Sequence, residues 1–123
     1  TPLSFAAAQG SEDMVRLLLA DERTDVEAKD SRGLSPAFLA ASKGHLAVVK
    51  LLLETDRVNA NSEGGSYGQT LFSWAAGRGH AAVVAMLLAT GSVEVNSRDH
   101  HFGRTGLAWA SLYGHETVVS LLV

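Results

Sequence analysis

Four aliphatic blocks recur along the chain: Met14 to Leu19, Val48 to Leu53, Val83 to Leu88 and Val118 to Val123. Their apolar residues fall at i, i+1, i+4 and i+5, as with Val48, Val49, Leu52 and Leu53. That spacing gathers them on one face of a helix. The residue that splits each block is Arg16, Lys50, Ala85 or Ser120, and it is expected to point to solvent. Ahead of each block lies a second short pattern, running Thr1 to Ala7, Ser35 to Ala41, Thr70 to Ala76 and Thr105 to Ser111. The starts of these patterns are 34, 35 and 35 residues apart. Each opens on a hydroxyl residue able to accept a bond from a free N–H at a helix start. Pro2 and Pro36 follow at the first helical position, where a missing N–H costs nothing. Gly10, Gly44, Gly79 and Gly114 come next and end the first helix, since glycine takes the left-handed conformation cheaply.

Each unit therefore predicts two helices, neither able to bury its apolar face alone. The alanine pairs Ala6-Ala7, Ala40-Ala41 and Ala75-Ala76 let the first helices of neighbouring units approach closely. Stacking then buries the blocks, as in repeat arrays generally. The expected fold is all-α, an α-solenoid of about four units: a partial unit over residues 1–29, whole units over 30–64 and 65–99, and a partial unit over 100–123. The chain opens inside a first helix and stops inside a second, without polar capping units. It is therefore expected to be an excerpt of a longer array, with apolar ends around Leu3, Phe5, Leu121, Leu122 and Val123 prone to end-to-end self-association.

The hydroxyl-proline start, the alanine pair, the Gly-His step at Gly44-His45, Gly79-His80 and Gly114-His115, and the aliphatic block recur in register. Together they resemble the ankyrin repeat, and the resemblance covers essentially the whole chain. Asp30-Ser-Arg-Gly33 before Ser35-Pro36 carries that family's D-x-x-G element. The resemblance implies a β-hairpin-like finger joining each helix pair to the next, and a concave surface formed by finger tips and first-helix ends. There are departures. The units exceed the family's usual length of about 33 residues. The histidine expected after T-P-L is replaced by Ser4, Phe38, Ser73 or Ala108, and Thr70 and Thr105 lack the following proline, which predicts looser helix starts. The spelling of the third unit resembles ankyrin arrays of large fungal proteins.

Composition narrows the function classes. Hydrophobic residues make up 46% and charged residues 19%, which fits a folded chain with a core. No apolar run approaches the roughly 20 residues that span a bilayer. A net charge of −3 supplies neither the basic footprint of nucleic-acid binders nor a polybasic membrane patch. With no cysteine, thiolate catalysis, disulfides and cysteine-based zinc sites are excluded. The expected location is intracellular, in a reducing cytoplasm.

Candidate chemistry is thin. His45, His80 and His115 sit one unit apart, and stacked helices lie about 8–10 Å from one another, too far for a shared zinc with bonds of about 2 Å. They read as structural turn positions. Asp99-His100-His101 is a tighter cluster without a fourth ligand. No nucleophile elbow, H-E-x-x-H or P-loop is present, and Gly64 to Gly68 lacks the G-K-[ST] ending of a phosphate cradle. No catalytic residue, metal or cofactor is expected. Trp74 and Trp109 occupy the place of Phe5 and Leu39 and are expected in a buried first-helix ladder, with a ligand-stacking aromatic box as the alternative.

The positions that differ between units carry the functional expectation. On the concave side that the resemblance implies, they include Arg32, Lys43, Tyr67, Gln69, Arg78, Phe102, Arg104, Leu112 and Tyr113. Aromatics and arginine are the types enriched at binding hot spots. The expected function is protein–protein interaction through this surface. The alternative is a structural spacer or sensor segment within a larger multidomain protein, such as a nucleotide-binding or signalling one, without its own partner here.

Overall fold

The computed structural model describes residues 1–123. Its helices form four hairpins: α1 (Pro2–Gln9) with α2 (Glu12–Leu19), α3 (Pro36–Ser42) with α4 (Leu46–Glu54), α5 (Leu71–Gly77) with α6 (Ala81–Thr90), and α7 (Gly106–Leu112) with α8 (Glu116–Leu122). The first helices α1, α3, α5 and α7 pack in one row and the second helices α2, α4, α6 and α8 in another. The result is an all-α solenoid of stacked units.

The two rows share one core. All six paired alanines are buried between first helices. From the second helices come Val15, then Val48, Val49 and Leu52, then Val83, Val84 and Leu87, then Val118. Full burial of such a side chain contributes about 1.5–3 kcal/mol. Arg16, Lys50, Ala85 and Ser120 are exposed, as the helical spacing requires. One end differs from expectation. Leu3 is buried within the core, and the open face there is made by Phe5, Met14 and Leu17.

The helix starts are firmer than the missing prolines suggest. Thr70 Oγ1 accepts from the Ser73 N–H at 3.3 Å, and Thr105 Oγ1 from the Ala108 N–H at 3.2 Å, as Thr1 does from Ser4 at 3.0 Å. Ser35 is the exception. Its hydroxyl, expected to cap α3, makes no such bond and is buried without a partner. Pro36 at the first position carries that start instead.

A histidine-glycine lock ties each unit to the one before it. His45, His80 and His115 place Nε2 at 3.1, 2.9 and 2.9 Å from the carbonyls of Ala8, Ser42 and Gly77. A carbonyl only accepts, so Nε2 carries the proton. Each ring lies over the preceding unit's glycine. A Cβ on Gly79 would fall 2.5 Å from Nδ1 of His115, and one on Gly10 2.7 Å from His45. Glycine is thus required at Gly79 twice over, by the ring and by a φ of 76°.

The fingers close by two devices. Only the one between α4 and α5 is a paired hairpin, with β1 (Glu63–Gly64) antiparallel to β2 (Gln69–Thr70). The fingers before α3 and α7 show no strand pairing, contrary to the hairpin expected at every step. An aspartate closes them. Asp30 accepts from the N–H groups of Arg32 and Leu34. Asp99 accepts from those of His101, Phe102 and Arg104. The middle finger has Gly64 at the equivalent place, where a Cβ would meet the Gly33 carbonyl at 2.8 Å. Neighbouring fingers join through Gly65 N–H to Gly33 O at 3.1 Å and His100 N–H to Tyr67 O at 2.8 Å.

Gly79→Ala is expected to cost at least about 1–2 kcal/mol for the left-handed backbone alone, with displacement of His115 added. The melting temperature should fall by about 5 °C or more. An unchanged thermogram would contradict the lock. A second expectation concerns Asp99. Burial pushes its carboxyl up, but the three backbone N–H groups and the Trp109 indole together hold it below the usual carboxylate value. A carboxyl depressed in the folded state stabilises above its unfolded pKa of about 3.9 and loses that contribution as pH falls through its folded value. The finger at Asp99 should therefore hold down to about pH 4 and loosen below, seen as a change in tryptophan emission. In Asp99→Asn that acid step should disappear, and its persistence would contradict this origin.

Candidate functional site

Fingers and first-helix ends converge on one face at the third and fourth units. Trp109, in α7, is the centre. Tyr67, from the paired finger, stacks on it with centroids 5.8 Å apart and planes 15° apart. Tyr113 lies one helical turn after Trp109 and stacks on it at 5.9 Å and 14°. Phe102 meets Trp109 edge-on at 6.0 Å and Tyr67 at 5.2 Å, while His101 lies 4.4 Å from Phe102. The Arg104 guanidinium sits 4.4 Å from the Phe102 centroid and 4.9 Å from that of Trp109. Beneath the group, the Trp109 indole N–H donates to Asp99 Oδ2 at 2.9 Å. The carboxylate that closes the finger thus also fixes the indole.

One unit earlier, Trp74 repeats the arrangement with different partners. Its indole N–H donates to Ser42 Oγ at 2.6 Å, Phe38 meets it edge-on at 5.7 Å, and Arg78, again one turn on, covers its ring at 4.2 Å. Between the two tryptophans lies a cleft of about 80 Å³ lined by Tyr67, Gln69, Gly77, Arg78 and Tyr113 as well. A wider one of about 220 Å³ adjoins it, sharing Tyr67, Gln69 and Trp74 and reaching Arg32 and Leu34.

Seven of the nine positions expected on this surface line these two clefts or join the aromatic group. Arg32 is held at 3.0 Å by Asp30. Gln69, expected at the surface, is buried, with its amide against Ser73 Oγ. Lys43 and Leu112 are exposed and stand apart from the aromatic group. Lys43, Arg78 and Arg104 have no carboxylate within ion-pair distance.

The tryptophans are the residues the surface list lacks. Trp109 is buried, as a ladder position should be, but Tyr67, Phe102, Arg104 and Tyr113 cover it and it lies outside the continuous apolar core. Trp74 is half-buried, and Phe5, at the head of the same ladder, is 69% exposed. The i, i+4 steps from Trp74 to Arg78 and from Trp109 to Tyr113 are the sequence signal that marks both as part of the band.

The ionisable groups nearby have structural uses. The three ladder histidines hold carbonyls. His100 Nε2 lies 2.7 Å from Glu63, and the Asp99 carboxylate is saturated by four N–H donors, which leaves Asp99-His100-His101 poorly arranged to hold a metal. The arrangement suits contact: flat rings, fixed cations and two shallow clefts that share Tyr67, Gln69 and Trp74. No helix is long and apolar enough to cross a membrane.

Comparison with known proteins places the architecture. A segment of 65 residues is 40% identical to the ankyrin repeat and KH domain-containing protein mask of Drosophila melanogaster. That match covers 52% of this chain and about 2% of the relative. The family model described as ankyrin repeats in three copies matches residues 1–63 and again 57–123. With the stacked helix pairs and the repeat register, that coverage establishes that the chain belongs to the ankyrin-repeat family.

Proposed function

We propose that the chain binds a partner protein through the aromatic and basic band of its third and fourth units. Ankyrin repeats are in general protein-interaction modules and not enzymes. The observation that favours this surface is Trp109 flanked by two near-parallel tyrosine rings, with Tyr113 and Phe102 still 59% and 49% exposed. Large rings held by packing lose little freedom on binding and form the hot spots of interfaces. A location in a reducing cytoplasm suits a chain without cysteine.

A second reading has its own observation. Phe5, Met14 and Leu17 at one end and Leu121 and Val123 at the other are exposed apolar residues. A head-to-tail contact between copies would cover both ends. Static light scattering should show mass rising with concentration, and Phe5→Glu with Leu17→Glu should suppress the rise. A constant monomer mass for the unmodified chain would remove this reading.

The test of the band is alanine substitution against a partner recovered by affinity capture. Phe102→Ala, Arg104→Ala and Tyr113→Ala are expected to weaken binding by on the order of 2 kcal/mol each. Tyr67→Ala should do the same, with melting checked because this ring covers Trp109. Arg16→Ala and Lys50→Ala, on the exposed side of the second helices, should change it by less than about 0.5 kcal/mol. Equal losses from the two faces would defeat the proposal.

A further inference from the structure

We infer that the band recognises an acidic segment of polypeptide, one that sets a carboxylate in the cleft between Trp74 and Trp109 and a bulky apolar side chain beside it. The inference rests on the band being the contact surface and names what that surface takes.

Size comes first. A cleft of about 80 Å³ admits the tip of one side chain. Charge comes next. Although the chain carries a net charge of −3, Arg78, Arg104 and Lys43 on this side have no carboxylate partner. No acidic residue lines the cleft between the two tryptophans, and the acid beside the adjoining cleft, Asp30, is already paired with Arg32. The carboxylate nearest Trp109, that of Asp99, is 4% exposed and spent on internal N–H groups. An incoming carboxylate would meet Arg78 with no acid among the residues that line this cleft.

Gln69 supplies the polar end of the cleft. It is 6% exposed, and its amide touches Ser73 Oγ at 3.3 Å. In the orientation that donates to Ser73, the other end of the amide has no protein partner. The amide nitrogen has a second N–H beyond the one given to Ser73, and it lies beside Gly77, which also lines the cleft. A carboxylate there would receive N–H bonds from Gln69 and from Arg78, which is held over Trp74 at 4.2 Å. Charge-assisted bonds of this kind are the stronger ones. The exposed rings of Phe102 and Tyr113 flank the site and suit an aromatic or branched aliphatic neighbour. A cationic ligand is disfavoured, since Arg78 and Arg104 already cover the ring faces that would attract it.

The chain has two tryptophans and both line the cleft, so their emission reports occupancy. The probe is a synthetic dodecapeptide alternating Asp or Glu with Leu or Phe. It is titrated alongside its Asn/Gln isostere and a trimethyllysine peptide. The acidic peptide is expected to bind at least about tenfold tighter than the isostere, with affinity falling as salt rises. Arg78→Gln and Arg104→Gln should each lower its affinity about tenfold with melting unchanged, while Lys50→Gln leaves it intact. If the isostere binds equally well and Tyr113→Ala abolishes it, the acidic preference is overturned and the band stands as an interface. If the trimethyllysine peptide binds tighter, the site takes cations and the inference fails. If no peptide alters the emission at millimolar concentration, the inference also fails, and the alanine series against the captured partner decides the band separately.

Discussion

Stacking is the constraint on which everything else in this molecule depends. A single helix pair here exposes an aliphatic face it cannot cover, so each unit is stable only against its neighbour. The close approach that stacking needs is made by alanine on the first helices and locked by the histidine-glycine contact. His80, for example, reaches back to the Ser42 carbonyl at 2.9 Å while its ring occupies the space a side chain on Gly44 would need. Because the lock recurs in register, equivalent positions of successive units lie side by side. That adjacency brings Tyr67 and Phe102, 35 residues apart, to 5.2 Å.

The band is thus a product of register. A tyrosine, a phenylalanine and an arginine on two fingers would be scattered surface residues in most folds. Here they close over one indole, which a buried aspartate orients from below. Asp99 serves the finger and the aromatic group together: it closes the finger through backbone N–H groups and fixes Trp109 through the ring N–H. Loss of that carboxylate would release the finger and the indole together.

Much of this was legible in the residues. The helix pairs, the solvent positions Arg16 and Lys50, the glycine ends and the convergence of Tyr67, Phe102, Arg104 and Tyr113 all follow from a fixed period, because period determines neighbourhood. Other features did not follow, among them the burial of Leu3 and Gln69. Ser35 has the right chemistry for a cap but its hydroxyl turns into a buried space without a partner, which a residue type does not reveal. Hairpin fingers are expected throughout, yet two close through aspartate and one through strand pairing, because Gly64 in place of aspartate lets the backbone lie against Gly33. Trp109 is buried, as its repeating helix position predicts, but the residues that bury it, Tyr67, Phe102 and Tyr113, come from the fingers and the helix end, which is a tertiary property.

The central claim is that the third and fourth units present a partner-binding face built around their two tryptophans. The most direct measurement is a ¹H–¹⁵N spectrum of the labelled chain, recorded with and without the captured partner. The two indole N–H resonances and the backbone amides of Tyr67, His101, Arg104 and Tyr113 should move or broaden first. Perturbation confined to the exposed side of α4, α6 and α8, with both indole signals unmoved, would contradict it.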